Sequence, residues 1–176
     1  MRLFFALPVP PDARAALAGF TRAHRADLPF RRFVHPDDYH LTVAFLGELP
    51  DAVLPALQRS VDRLRPAAPG PLRIRLETLG AFGPAERPRV LVARGRLDPE
   101  APFLRYRDAL VAALAAEGIA VDRKPFVPHV TLARDGTAPL PDLPWTPVAY
   151  TAADLVLFRS DLGKKPMYTP LHAWPL

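Results

Sequence analysis

Two tetrapeptides carry the chemistry that this sequence offers: His40-Leu41-Thr42-Val43 and, about half the chain later, His129-Val130-Thr131-Leu132. In each, histidine and threonine stand two residues apart. On a β-strand that spacing puts the imidazole and the hydroxyl on one face, while the branched apolar neighbours point the other way. An unperturbed imidazole titrates near pH 6.5, so a pair of them can divide an in-line displacement at phosphorus between themselves. One ring takes the proton of the attacking oxygen and the other protonates the departing oxygen. The two threonine hydroxyls can donate to the nonbridging oxygens, where charge accumulates in the transition state. No metal is required by this scheme.

The flanking sequence predicts the elements that must hold these residues. Tyr39 to Leu46 alternates as a strand, with Leu41, Val43 and Phe45 on one side and His40, Thr42 and Ala44 on the other, and Val127 to Ala133 reads likewise. Arg2 to Leu7 is a short apolar run closed by prolines, a buried strand ahead of a helix that continues to about Arg25. Arg31 to Asp38 reads as loop or edge strand. A second helix is expected over 51–65, with Leu54, Leu57, Val61 and Leu64 at spacings of three and four. Leu72, Ile74 and Leu76 alternate with polar residues and lead through a Gly-Ala-Phe-Gly-Pro turn to a strand at Val90 to Ala93, a hairpin. Asp98 as cap, Pro99 at the first helical position and Gly118 as terminator bracket a third helix. Ala153 to Phe158 and Met167 to Trp174 predict two more strands, with a loop over 139–147. The order implies a mixed α/β fold with helices outside antiparallel-rich sheets. The repeated tetrapeptide implies two similar halves whose histidines face each other across a groove.

Composition limits the alternatives. At 176 residues, 49% hydrophobic and 23% charged, the chain is of globular type and long enough for one compact domain. It has no cysteine, which removes disulfides and thiolate chemistry and makes the cytoplasm the default compartment. No stretch approaches the roughly 20 apolar residues of a membrane span. The formal charge of +5 favours an anionic partner, and apart from Lys124, Lys164 and Lys165 the basic side chains are arginines, whose planar fork suits phosphate.

The paired motifs and their contexts resemble the 2H phosphoesterase superfamily, named for two His-x-Thr-x motifs, and within it the bacterial and archaeal RNA 2′,3′-cyclic phosphodiesterases formerly called 2′-5′ RNA ligases. The resemblance runs through RLFFALPVP, HLTVAFLGEL around His40, GAFGPAERPRVL, KPFVPHVTLAR around His129 and the closing LFRSDLGKKPMYTPL. It implies one bilobal, pseudo-symmetric domain over 1–176 made of two intertwined lobes with a central cleft, and no cofactor. The implied reaction is hydrolysis of a terminal 2′,3′-cyclic phosphate to a 2′-phosphate, with RNA ends, tRNA fragments among them, as substrate. By the family's pattern His40 donates the proton to the 3′-oxygen and His129 activates water. The older name has a simple reading, since an RNA 5′-hydroxyl in place of water gives a 2′-5′ linkage. The sequence departs from the common pattern at Ala44, where many relatives carry a groove-facing lysine, and at Tyr39, where an aliphatic residue is commoner.

Beyond the catalytic set of His40, Thr42, His129 and Thr131, five residues are candidates for substrate binding. Phe126 offers a stacking surface or a core contact, Arg123 and Lys124 enter the second motif, Tyr168 lies in the closing strand, and Arg134 has the wrong alternation to join His129 unless the strand ends there. His24, His35 and His172 lack a repeated context and read as surface or structural residues. A monomer is expected because one chain carries both half-sites. Three other functions fit parts of the pattern. A nucleotide-binding relative without catalysis is disfavoured by the intact motifs, and a histidine metallohydrolase by the lack of ligand spacing. A phosphodiesterase of small cyclic nucleotides differs only in substrate.

Overall fold

The computed structural model of the chain describes residues 1–122 and 124–176. Three α-helices and nine strands are present among the described residues. They follow one another as β1 (Arg2–Pro8), α1 (Pro11–Ala23), β2 (Phe30–Phe33), β3 (His40–Glu48), α2 (Leu54–Leu64), β4 (Leu72–Phe82), β5 (Val90–Asp98), α3 (Glu100–Ala116), β6 (His129–Gly136), β7 (Val148–Ala152), β8 (Asp154–Ser160) and β9 (Tyr168–Pro175).

Each strand pairs antiparallel with its neighbours in the order β7-β4-β5-β6-β3-β1-β8-β9, and β2 lies against β6. The two strands that begin with the histidines therefore meet in the middle. Their junction is a single registered pair, Leu41 with Val130. On one side of it stand β3, β1, β8 and β9, on the other β6, β5, β4 and β7. The chain starts in the first half, builds the second and returns, so the halves are interleaved in sequence.

One face of the sheet is apolar because the alternation makes it so: Leu3, Phe5 and Leu7 on β1, Leu72, Ile74 and Leu76 on β4, and Leu155 and Leu157 on β8 are fully buried. Phe103, Leu110 and Leu114 of α3 and Leu57 and Val61 of α2 add the helical layer. The opposite face carries the histidines and threonines.

Several local expectations shift by a few residues. β4 runs on through Gly80, Ala81 and Phe82, the segment predicted as a turn, and pairs there with Val90, Leu91 and Val92. Asp98 remains in β5 and Pro99 occupies the cap position of α3, so the proline, not the aspartate, marks that start. Gly118, with φ +76°, ends α3 as expected. β7 is absent from the sequence reading: five residues after a proline-rich stretch carry too little periodicity to reveal a strand, and only pairing with β4 defines it.

The largest correction concerns β3 beyond the motif. In its pairing with β1, Phe5 lies opposite Ala44 and Ala6 opposite Thr42, so Val43 is an extra residue, a bulge. A bulge reverses the alternation downstream of it. Ala44 accordingly faces the core at 2% exposure and Phe45, expected in the core, is 37% exposed with the Arg2 guanidinium 5.2 Å above its ring. The position expected to face the groove thus points into the core of this chain.

Candidate active site

The second motif carries the same bulge. β5 and β6 pair Leu91 with Ala133 and Val92 with Thr131, skipping Leu132, which is the residue equivalent to Val43. Arg134, given the wrong alternation by the sequence, is returned by this offset to the face of His129 and Thr131, and it occupies the place that Phe45 has on β3. Its charge acts on both histidines and on Tyr168.

The antiparallel pair Leu41–Val130 sets the geometry of the four motif residues. Continuing that register puts His40 beside Thr131 and Thr42 beside His129, and puts the histidines on a diagonal, where antiparallel neighbours lie roughly 7–8 Å apart. That interval accommodates one phosphate group between two ring tips.

Both imidazoles are braced in the same way. His40 Nδ1 lies 2.7 Å from the Asp38 carbonyl oxygen, and His129 Nδ1 lies 2.6 Å from that of Val127. A carbonyl only accepts, so each neutral ring carries its proton on Nδ1 and presents Nε2 as the lone pair. Thr42 Oγ1, 3.1 Å away, donates to His40 Nε2. Ring packing restricts rotation further: Phe4 and Tyr168 each stand 4.8 Å apart edge to face and both lie 5.0 Å from His40, while Phe82 lies 4.9 Å from His129, edge to face.

The surroundings lower both basicities. Burial pushes His40 down to about 4, aided by the Arg134 charge and opposed by the bond to Asp38. Burial also lowers His129, with Arg94 and Arg134 adding to the effect. Both shifts favour the neutral ring.

Asp38 holds this arrangement from behind. Its carboxylate, 5% exposed, accepts the backbone N–H of Met167 at 2.8 Å and that of Tyr168 at 3.0 Å, which ties the start of β9 to the residue whose carbonyl braces His40. Hydrogen bonds to a charged group contribute about 1.5–3 kcal/mol each. Asp38→Ala is expected to lower the unfolding free energy by about 3 kcal/mol, read as a lower urea midpoint; an unchanged midpoint would contradict this role.

The other candidates are placed as follows. Tyr168 joins His40. Lys124 is occupied by Asp122, its Nζ 3.1 Å from that carboxylate. Phe126 is partly buried and packs against Phe103 of α3, ring centres 5.6 Å apart, with the Arg107 guanidinium 4.8 Å from its ring centre. Arg123 lies outside the described residues. Sequence reasoning missed Phe4, Phe82, Arg94 and Asp38. Arg94 is the Cα partner of His129 and lies 4.4 Å over the Phe82 ring. Only strand pairing could have revealed it.

A family model described as the 2′-5′ RNA ligase superfamily matches residues 7–163. The chain belongs to this superfamily. It is 38% identical to an RNA 2′,3′-cyclic phosphodiesterase of Thermus thermophilus, over all of this chain and 90% of that protein. It is 32% identical to the Escherichia coli protein of the same name, over 99% and 96%. A Geobacillus stearothermophilus protein of that name is 34% identical over 98% of the chain, which spans 56% of its length. Among solved structures of the superfamily's fold, TT0787 of T. thermophilus aligns over 100% and 98% of the two chains with a TM-score of 0.78 and 34% identity. E. coli LigT complexed with 3′-AMP aligns over 99% and 97% with a TM-score of 0.80 and 27% identity. Among the described residues no helix is long and apolar enough to cross a membrane, and no group of three or more His, Asp or Glu side chains converges as a metal site.

Proposed function

We propose that this chain hydrolyses 2′,3′-cyclic phosphate ends of RNA to 2′-phosphates by acid–base catalysis between His40 and His129. The observation that carries the reading is the pair of imidazoles held alike at Nδ1 by the carbonyl two residues before, each with a threonine two residues on, meeting at the rung that joins the two halves of the sheet. The names of the relatives and the nucleotide bound by E. coli LigT agree with it.

In the proposed reaction a water oxygen attacks phosphorus and loses a proton to Nε2 of His129. The bond from phosphorus to the 3′-oxygen breaks, and that oxygen takes the proton held on Nε2 of His40. The products are a 2′-phosphomonoester and a 3′-hydroxyl, and exchange with solvent returns both rings to their starting states. The low basicity of His40 is compatible with an acid role because an entering phosphodiester brings a negative charge, which raises both imidazoles. Thr42 and Thr131 donate to the nonbridging oxygens, and the Arg134 guanidinium offsets their charge. With an RNA 5′-hydroxyl in place of water the same displacement forms a 2′-5′ linkage, and this outcome depends on both RNA ends being held together.

One chain supplies both histidines, so the proposal includes a single domain over 1–176 acting as a monomer in the cytoplasm, without a cofactor, on substrates that include tRNA fragments. The test is incubation, in the presence of EDTA, with a short RNA ending in a 2′,3′-cyclic phosphate, followed by identification of the terminus. A 2′-phosphate is expected, with the rate unaffected by chelator. A 3′-phosphate would reverse the assignment of leaving oxygen, and tight binding without turnover would identify a nucleotide-binding protein instead.

A further inference from the structure

The two halves of the catalytic face differ in charge away from the motifs. Beside His40 the face is aromatic, with Phe4 packed against both Phe158 and Tyr168. Beside His129 it is cationic. Because Leu72, Ile74, Leu76, Ala93 and Leu97 turn to the core, the alternate residues Arg73 and Arg75 of β4 and Arg94 and Arg96 of β5 share the face of His129.

Their registration forms a row. Arg94 is paired with His129, Arg96 lies two residues further along β5, about 6.7 Å away at strand rise, and Arg75 is directly opposite Arg96. Arg73 lies beyond, opposite Asp98. Like charges directly opposite each other on paired strands are unfavourable. Here a single carboxylate, Glu77, serves both, 3.0 Å from Arg96 Nε and 3.7 Å from Arg75 Nε. Four guanidiniums against Glu77 and Asp98 leave the row with excess positive charge. Arg75 and Arg96 have side chains 55% and 79% exposed, so no element of the fold covers them. The strands are also pressed together at this level: a side chain at Gly95 would collide with the Arg75 carbonyl, so β5 needs glycine between Arg94 and Arg96.

Resting on the phosphodiesterase reading, we propose that the open face of β4 and β5 is a track for the single-stranded RNA that leads into the cyclic phosphate, with Arg94, Arg96, Arg75 and Arg73 contacting successive backbone phosphates. The row is continuous with the catalytic pair, its charge is complementary to a polyanion, and guanidinium forks suit phosphate oxygens. Over four residues of strand it extends about 13 Å, enough for two to three nucleotides upstream of the reacting end. The preferred substrate is therefore an oligonucleotide rather than a cyclic mononucleotide.

The experiment compares kcat/KM for a 2′,3′-cyclic mononucleotide with that for RNAs of two, four and eight nucleotides carrying the same end, in wild type and in the Arg75→Ala/Arg96→Ala double variant. Wild type is expected to gain at least tenfold from the first few nucleotides and then level off. The variant is expected to lose that gain and keep its rate on the mononucleotide. Its dependence of log affinity on log salt for the eight-nucleotide RNA should fall by about 1.4, two charges at roughly 0.7 each for a single strand. The same affinities are measured with RNAs ending in a stable 3′-phosphate, so the track is tested even if no RNA is hydrolysed. Length-independent binding by wild type, or a variant with unchanged length and salt dependence, overturns the track. Loss of all turnover with the length dependence intact overturns the phosphodiesterase reading alone.

Discussion

His40→Ala and His129→Ala are each expected to slow the opening of a 2′,3′-cyclic phosphate by about 10²- to 10⁴-fold, the range that a positioned proton-transfer group contributes. Neither change opens the hydrophobic core, since both rings belong to the open face and are held by one backbone carbonyl apiece. The folded state should survive both. The double variant falls little further than the worse single one, because acid and base serve a single displacement. The two roles separate with an aryl phosphodiester whose leaving group needs no proton: His40→Ala is spared there and His129→Ala is not. Equal losses on that substrate would remove the assignment of His40 as acid. The pH dependence follows from the lowered basicities. Because kcat/KM reports the free protein and burial depresses both imidazoles, its maximum is expected on the acid side of the ordinary histidine value, and it falls as pH rises and His40 loses its proton. The kcat profile, which reports the complex, lies at higher pH because the bound anion raises both groups. Coincident profiles would contradict this.

Arg134→Met is expected to lower kcat/KM by about 10²- to 10³-fold, comparable with removing one donor from a site that stabilises developing negative charge. Its second effect has a definite sign. The guanidinium lowers His40, His129 and Tyr168 through its charge, so removing it raises all three, and both limbs of the kcat/KM profile move to higher pH. A residue that only supported the strand would reduce the rate without moving the profile. Arg134→Lys, which keeps the charge without the fork, should restore the pH profile and only part of the rate.

The motif pair was legible in the sequence because a repeat of residue types needs no structure to be seen, and its spacing of two already fixes which residues share a face. What the sequence could not reveal is where that alternation breaks. The extra residues at Val43 and Leu132 are ordinary strand formers, and nothing in their identity announces a bulge; simple alternation therefore puts Ala44 and Phe45 on the wrong faces and counts against Arg134 as a groove residue. Asp38 was hidden for a different reason. Its partners are backbone N–H groups at Met167 and Tyr168, which carry no sequence signal and lie 129 and 130 residues away. The helices were located to within a few residues by their apolar spacing, whereas Arg94 and the arginine row required the register of β4, β5 and β6.

The matching bulges mean that the scaffold around the two histidines is nearly degenerate under exchange of its two sides: histidine, threonine and bulge recur in the same order on β3 and β6. A degenerate site would hold a cyclic phosphate equally well with either ester oxygen toward either ring, and so would release 2′- and 3′-phosphates as a mixture. The degeneracy is lifted at the second position after the bulge, where one strand carries Phe45 and the other Arg134. Under the proposed reaction, regiochemistry is thus a property of the residues that differ between the halves, while proton transfer belongs to those that repeat.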